Sequence, residues 1–552
     1  MQRLKSTKLY FFSILNLFFL SIRNLYFKSN FYNQKLITFI PDRIFYNPST
    51  YLSASLITVS NDFYKITNTA PGLLWKISPK EKLKFENLHS FLWLAKLDRK
   101  NSKNITKEII KSWMDNFFNY HPGAWKMEVT ARRIIAWASN ADITLENSDN
   151  IYKKRFFLCL VKQANFISKN LKNLFYEPNK IICCSGIILC GIMFKESYSN
   201  YKVGIKELEK SVKNFFDEDG FPKSRNPEEV FICIKYLILV REWLKEAQKT
   251  VPNFLDEIIA KCGNCYAVLS CSNKQFPLFN GATEINHGDY DIFLKNLKYK
   301  FINKNNEISG LLKVKKKKLE FFMDCGNPPP SNFTKYYQAG CLAFELNSNK
   351  EKVICNSGYG KYFSSEIASL SRSTAAHSTL YINDTSSCTF QKNKSINKVY
   401  GNSLLEKHKI LKKSYTEDND FFSLSASHDG YEKKFGYMHT RSIKIPKKED
   451  KVFGEDELKK IKNFTRSLTY SVRFHIYPNT RIVKTKAGNS VLISLENGEG
   501  WLLHSKTNSL EIEKNIFLGN KNKIINNESI SISGNVNAKD IISIKWEIER
   551  IK

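Results

Sequence analysis

Acidic residues are scarce in this 552-residue chain: 53 Asp and Glu stand against 85 Lys and Arg, a formal net charge of +32. Such an excess attracts nucleic acid, anionic lipid and acidic polysaccharide alike, and does not choose among them. No recognised nucleic-acid-binding motif is present, so nucleic acid is not expected as a partner. Much of the positive charge sits in solvated runs such as KKKK at residues 315–318, within a composition rich in Lys, Asn and Ile. The twelve cysteines are scattered: Cys183 and Cys184 are adjacent, Cys262 and Cys265 form a lone CGNC, and no second CxxC completes a zinc ribbon. They read as buried thiols rather than a disulfide framework. The nine histidines contain no HxxxH or HExxH, so neither a metal site nor a cofactor is expected.

Long apolar runs are also missing, with one exception. Residues 9–22 follow a basic start and are mostly apolar, the length of a signal-peptide core and short of the roughly 20 residues that span a bilayer. No small-x-small cleavage site follows, and Arg23 ends the run. A signal peptide, a signal anchor and an amphipathic helix all remain open for residues 1–40, and membrane contact is expected only through residues 9–22. The rest is neither disordered nor membrane-spanning: 42% hydrophobic and 13% aromatic residues are ample for a packed core.

Two patterns divide the body. From about residue 80 to 270, apolar residues recur at three- and four-residue spacing in segments such as FENLHSFLWLAKL, EVTARRIIAWASN, IICCSGIILCGIMF and EEVFICIKYLILVREWLKEAQ. Short connections predict stacked helical hairpins, without a regular sequence repeat. After about residue 300 the chain turns to short runs, among them LEFFMDC, KVICNSG, RSIKIPK, SVRFHIYP and IISIKWEI, parted by Gly, Asn, Pro and Lys. That is the pattern of an antiparallel β-sandwich. A boundary near 300–315 follows, with a helical domain over 41–305 and a sandwich over 306–552.

Particular segments carry a resemblance. DCGNPPP from Asp324, AGCLAFEL from Ala339, VICNSG from Val353, RSTAAHSTL from Arg372, SHDGY from Ser427, HTRSI from His439 and FGED from Phe453 resemble, in order, the blocks of the heparinase II/III-like C-terminal domain. Upstream, LHSFLWLAKL, EVTARRIIAW, SRNPEEV and PLFNGATE resemble the helical part of alphaproteobacterial members. The resemblance covers about residue 75 to the end. It implies a multidomain α and β protein, an N-terminal incomplete (α/α) toroid followed by a C-terminal antiparallel β-sandwich. It also implies a polysaccharide lyase of the cell envelope, placed in the periplasm with the cytoplasm as the alternative, that cleaves an acidic, uronate-containing polysaccharide by β-elimination. The alternative is a catalytically impaired glycan-binding or polymer-processing protein of the same fold. Oligomeric state is not readable.

β-Elimination must neutralise the C6 carboxylate, remove the C5 proton and protonate the leaving O4. Carboxylate neutralisation suits Asn, Arg or a protonated His, and the proton transfers suit Tyr and His within hydrogen-bond reach. The resemblance implies a neutralising Asn and a Tyr on the toroid and a His on the sandwich, with the cleft between the domains. His377 takes the sandwich role, Tyr431 an acid/base role and Asn179 the neutralising one. Arg372, Arg225, Asn226, Lys180, His428 and Glu284 are the expected substrate contacts, with His439 and Arg441 as further basic groups. Each has a plainer alternative: a turn held by His377, a packed Tyr431, a helix cap at Asn226 before Pro227, an ion pair for Arg372. The helical side departs from the lyase pattern. Lys180 stands where a His is usual, and Glu229-Val230 replace the usual Tyr-His pair. Glu128 and Arg132 are expected to pair at i,i+4, and Trp93, Trp125 and Trp137 either stack on sugars or pack the core.

Overall fold

The computed structural model describes residues 2–56, 69–98, 101–302, 305–401, 403–464, 467–506, 508–536 and 540–551. By internal contacts the chain forms two units: residues 1–216 with 231–262, and residues 217–230 with 263–552. Segments 217–230 and 263–302, expected in the helical domain, therefore pack with the sandwich.

The first unit is helical. The helix Glu177–Met193 packs on Tyr198–Phe215, on Met127–Ser139 and on Asn150–Asn170. It is buried along almost its whole length, and its glycines let neighbours close in: a Cβ on Gly186 would lie 3.0 Å from the Ala131 backbone, and one on Gly191 would overlap the Tyr201 backbone. Asp149 caps Asn150–Asn170, its carboxylate accepting the Tyr152 N–H at 2.7 Å. The segment FENLHSFLWLAKL is not one helix. An α-helix over Lys82–Ser90 stops at Phe91, which adopts φ +58°, and a 3₁₀ turn continues over Leu92–Lys96. The fully buried Phe91 ring lies against Trp93, Trp113 and Trp137, so aromatic packing overrides the helical spacing there. Trp93, Trp125 and Trp137 are all buried, which gives them the core role. Glu128 pairs with Lys126 at 2.6 Å, and Arg132 donates to Tyr236 Oη at 3.2 Å, so the expected Glu128–Arg132 ion pair gives way to neighbours that reach each group first. At the start of the chain, Gln2–Lys28 is a single helix. Its stretch Leu9–Lys28 is long and apolar enough to cross a membrane and is mostly exposed.

The second unit is two antiparallel sheets and a small two-stranded ribbon. One sheet runs in the order 307–308, 311–316, 319–324, 344–348, 351–355, 469–476, 525–535, 511–517, with Leu380–Ile382 also paired to Thr469–Ile476. The other runs 481–484, 490–494, 500–504, 541–550, 451–460, 437–446, 421–428, 410–417. Strand Tyr437–Pro446 alternates buried and half-exposed positions, as period-two side chains require. Leu312, Phe321, Phe344, Val472 and Phe474 of the first sheet share one apolar core with Leu424, Ile443, Val452, Trp501 and Trp546 of the second. At its centre Trp546 stacks on Phe344 with ring centroids 5.4 Å apart. All twelve cysteines are buried thiols outside any disulfide, including Cys262 and Cys265 within the helix Asn253–Leu269.

Candidate functional site

The second sheet carries a polar chain through the sandwich core. Strand alternation turns His439 and Arg441 inward on Tyr437–Pro446, and Asp456 inward on Lys451–Lys460. Arg441 and Asp456 are register partners, as are His428 and His439. The buried Asp456 carboxylate accepts from His439 Nε2 (2.7 Å), Arg441 Nε (2.8 Å) and Nη2 (2.9 Å), and Trp546 Nε1 (2.9 Å). A side chain at Gly454 would overlap the Trp546 ring, so glycine makes room for that indole. Burial raises the carboxyl pKa, but Arg441 and the His439 hydrogen bond outweigh it and hold Asp456 below the usual carboxylate range.

The proton positions along this chain are fixed by its donors. Gly430 N–H donates to His428 Nδ1 at 3.0 Å, so His428 carries its proton on Nε2 and donates to His439 Nδ1 at 3.1 Å. His439 in turn donates to Asp456. Burial pulls both imidazoles below their ordinary pKa, and for His428 the neighbouring His439 adds to it, so both rings are neutral near pH 7. Tyr431 is fully buried, its hydroxyl donating to the Leu380 carbonyl at 2.9 Å. The structure thus gives His428, His439, Arg441 and Tyr431 to the core, away from solvent.

RSTAAHSTL forms a set of ties in the first sheet. His377 is 1% exposed, its Nδ1 donating to the Ser373 carbonyl at 2.8 Å and its ring packed against Gly340, where a Cβ would come within 2.7 Å. Burial draws its pKa down to about 4, and Nε2, facing no hydrogen-bond partner among the described residues, is an unprotonated acceptor. Arg372 is 2% exposed and donates to the carbonyls of Tyr337 (2.7 Å) and Thr334 (3.0 Å) while lying over the Phe390 ring at 4.0 Å. Ser378 Oγ donates to Cys355 O and accepts from His475 N, and Thr374 and Thr379 donate to Ala339 O and Cys341 O. His475 Nε2 binds the Ala375 carbonyl at 3.0 Å. These bonds order the backbone that surrounds His377.

The segments 217–230 and 263–287 add a second polar group. Arg225, at φ +66°, pairs with Asp324 at 2.6 Å, and its Nη1 donates to Asn327 O at 3.1 Å. Asn280, at φ +52°, donates to the other Asp324 oxygen at 2.9 Å. Two non-glycine residues held in the left-handed region around one carboxylate mark a strained arrangement that its contacts must maintain. Asn226 Oδ1 accepts the Glu228 N–H at 2.9 Å, the cap expected before Pro227. Where the lyase pattern has Tyr-His, Glu229 is buried and hydrogen-bonded to Ser224. Glu228 binds Lys361 (2.8 Å) and Lys521 (2.9 Å) and accepts from Thr283; burial opposes its ionisation, but the two lysines bring its pKa down to about 2. Glu284 accepts from Tyr477 Oη at 2.6 Å.

The remaining candidates belong to the helical unit. Asn179 is half-buried in the first turn of Glu177–Met193, and Lys180 lies 3.8 Å from Glu207. Within the sandwich unit, then, the structure brings Arg225, Asn226 and Glu284 to elements around Asp324, Glu228 and Tyr477, and it commits His377, Arg372, His428 and Tyr431 to buried bonds. Asp456, Asp324, Glu345 and His475 hold these groups, and no role was read for them in the sequence. Glu345 accepts from Leu278 N and Asn356 N and pairs with Lys352 at 3.1 Å, both side chains fully buried. For Asp456 the missing signal was its position facing Arg441 across a ladder. Among the described residues no three His, Cys, Asp or Glu side chains are grouped as metal ligands.

Residues 304–547 match the family described as heparinase II/III-like, C-terminal. The chain carries a heparinase II/III-like domain. It is also 22% identical over 450 residues, 77% of this chain and 75% of the relative, to FtsZ-localized protein C of Caulobacter vibrioides. A heparinase III crystal structure superposes with a TM-score of 0.66 at 16% identity, covering 86% of this chain and 79% of that one. A mutant heparan sulfate lyase from Pedobacter heparinus gives 0.63 at 13% identity, covering 94% and 87%. At these identities the likeness is one of fold, a helical region and a two-sheet sandwich. The heparinase II/III-like domain begins just before the first strand, Glu307–Ile308.

Proposed function

We propose that this heparinase II/III-like protein binds an acidic, uronate-containing polysaccharide of the cell envelope without cleaving it. One observation carries the reading. Every acid/base candidate on the sandwich, His377, His428 and Tyr431, is no more than 1% exposed, and proton transfer to a sugar requires hydrogen-bond reach. Arg372, the expected carboxylate contact, spends its guanidinium on backbone carbonyls. At the start of the helix Pro227–Glu246, Glu229 and Val230 stand in place of the usual Tyr-His pair. The net charge of +32 favours association with a polyanion.

A second reading, β-elimination with His377 as base, draws on one feature: a neutral ring with an unprotonated Nε2. Incubation with heparan sulfate, alginate and hyaluronan, followed by ultraviolet absorbance of unsaturated uronate, separates the two. Binding that weakens with salt and no absorbance on any polymer is the expected result. A steady absorbance rise that disappears in His377→Ala would overturn the proposal in favour of the lyase.

A further inference from the structure

At one edge of the first sheet lies a cavity of about 700 Å³, within the range of small-ligand pockets. Tyr477, just beyond strand Thr469–Ile476, lines it together with three successive rungs of the ladder between Glu511–Phe517 and Ile525–Asn535: Lys514 facing Glu528, Asn515 facing Asn527, and Ile516 facing Asn526. Asparagine is disfavoured in strands, yet Asn515 and Asn527 pair on one face of this ladder and Asn526, one residue on, turns to the other. One of them is incompletely satisfied: Asn527 donates to the Ile476 carbonyl at 2.8 Å, while its buried Oδ1 has no partner among the described residues. The pocket is also braced from behind. Tyr477 donates to Glu284, its ring meets Phe517 edge-on at 5.4 Å, and the Asn515 amide contacts His475, which holds the Ala375 carbonyl.

The chemistry of this lining selects a ligand class. A carboxamide offers both donors and an acceptor, the match for adjacent hydroxyls or an acetamido group that are donor and acceptor too. Charge gives the second criterion: Lys514 and Glu528 are cross-strand partners of opposite sign, so the pocket has no net attraction for an anion. We propose that this pocket is a binding site for an uncharged sugar residue, a neutral hexose or N-acetylhexosamine unit of a glycan. It is separate from the polyanion reading above and does not depend on it.

The test titrates the full chain with two probes, the trimer of N-acetylglucosamine and cellotriose, by calorimetry or ligand-observed NMR. Saturable millimolar or tighter binding of at least one is expected, with a Kd unchanged by added salt. Asn515→Ala and Asn526→Ala should each weaken it at least tenfold; Asn526 is exposed, so its variant keeps the fold. Failure of both trimers to bind, or binding untouched by both substitutions, overturns the assignment. Either result leaves acidic-polymer binding to its own assay.

Discussion

Arg133 in the helical unit and Arg441 in the sandwich are both fully buried, yet they are held differently. Arg133 donates to Gln163 Oε1 and to the carbonyls of His89 and Ala124 at 2.8–2.9 Å, and its guanidinium lies 4.0 Å over the Trp113 ring. Its partners are neutral dipoles, and burial brings its pKa down to about 9. Arg441 instead grips Asp456 with two nitrogens and spends Nη1 on the carbonyls of Leu342 and Ser378. Helices supply carbonyls at their ends and turns, whereas facing strands place a carboxylate opposite a guanidinium. Arg133 is thus solvated by neutral groups and Arg441 is paired; Arg372 of the sandwich unit, held by two carbonyls over the Phe390 ring, follows the Arg133 pattern.

The largest expected effect breaks the paired arrangement. Asp456→Asn leaves Arg441 as an uncompensated buried charge and weakens the acceptor of His439 and Trp546, at a cost of about 3–5 kcal/mol to the sandwich. Arg133→Met leaves only neutral acceptors unmet, about 1–3 kcal/mol to the helical unit. Urea unfolding read by segment-resolved hydrogen exchange distinguishes the two. Equal losses would erase the contrast between the units.

Acid should widen the same difference. A buried histidine with a lowered pKa binds fewer protons folded than unfolded, so its stabilisation is complete above the unfolded value of about 6.5 and is lost as pH falls toward the folded one. The sandwich holds five such rings: His377 at about 4, His408 and His475 at about 3, and His428 and His439 lowered; for all five, burial is the main cause. The helical unit has two, His89 at about 3 and His121 lowered, again chiefly by burial. Between about pH 7 and pH 5 the sandwich should lose stability more steeply. The depressed carboxylates of Asp456 and Glu228 protect it above about pH 4 and fail below that. Exchange protection followed segment by segment against pH measures this, and parallel slopes would refute it.

Packing gives a smaller, sharper comparison. Gly454→Ala forces a methyl into the Trp546 ring and should cost the sandwich about 1–3 kcal/mol. Gly191→Ala meets the Tyr201 backbone, but the roughly 1 kcal/mol that alanine gains in a helix offsets part of the loss. Thermal melts of the two variants, normalised to the unit affected, should rank Gly454→Ala as the more damaging.

How much of this could be read beforehand follows from the range of each interaction. Helices such as Asn253–Leu269 and strands such as Leu319–Asp324 declare themselves through local spacing, and the two-part architecture came with them. The break at Phe91 did not, because an aromatic cluster drawn from distant positions decides it. HTRSI and FGED were legible as separate blocks, while their meaning lies in the register that sets Arg441 against Asp456. The discontinuous second unit was hidden for a similar reason: residues 217–230 sit between two helices in sequence and owe their place to Asp324, Lys361 and Lys521. Residue types at His377 and Arg372 suggested substrate chemistry, but only three-dimensional packing reveals that the Arg372 guanidinium and His377 Nδ1 are turned to backbone carbonyls.

The mildest substitution addresses that last point. Glutamine at 377 keeps most of the imidazole volume and can still donate toward the Ser373 carbonyl, so His377→Gln should cost only about 1 kcal/mol. Acidic-polymer affinity should not change, because a side chain that is 1% exposed contacts no polymer. The asymmetry makes the experiment informative. A histidine that only ties a turn is largely replaced by another donor, whereas one that accepts a proton is not, since an amide has no basic nitrogen. Unchanged binding with a small shift in melting temperature fits the tie, and loss of an elimination activity at unchanged stability would return His377 to the chemistry.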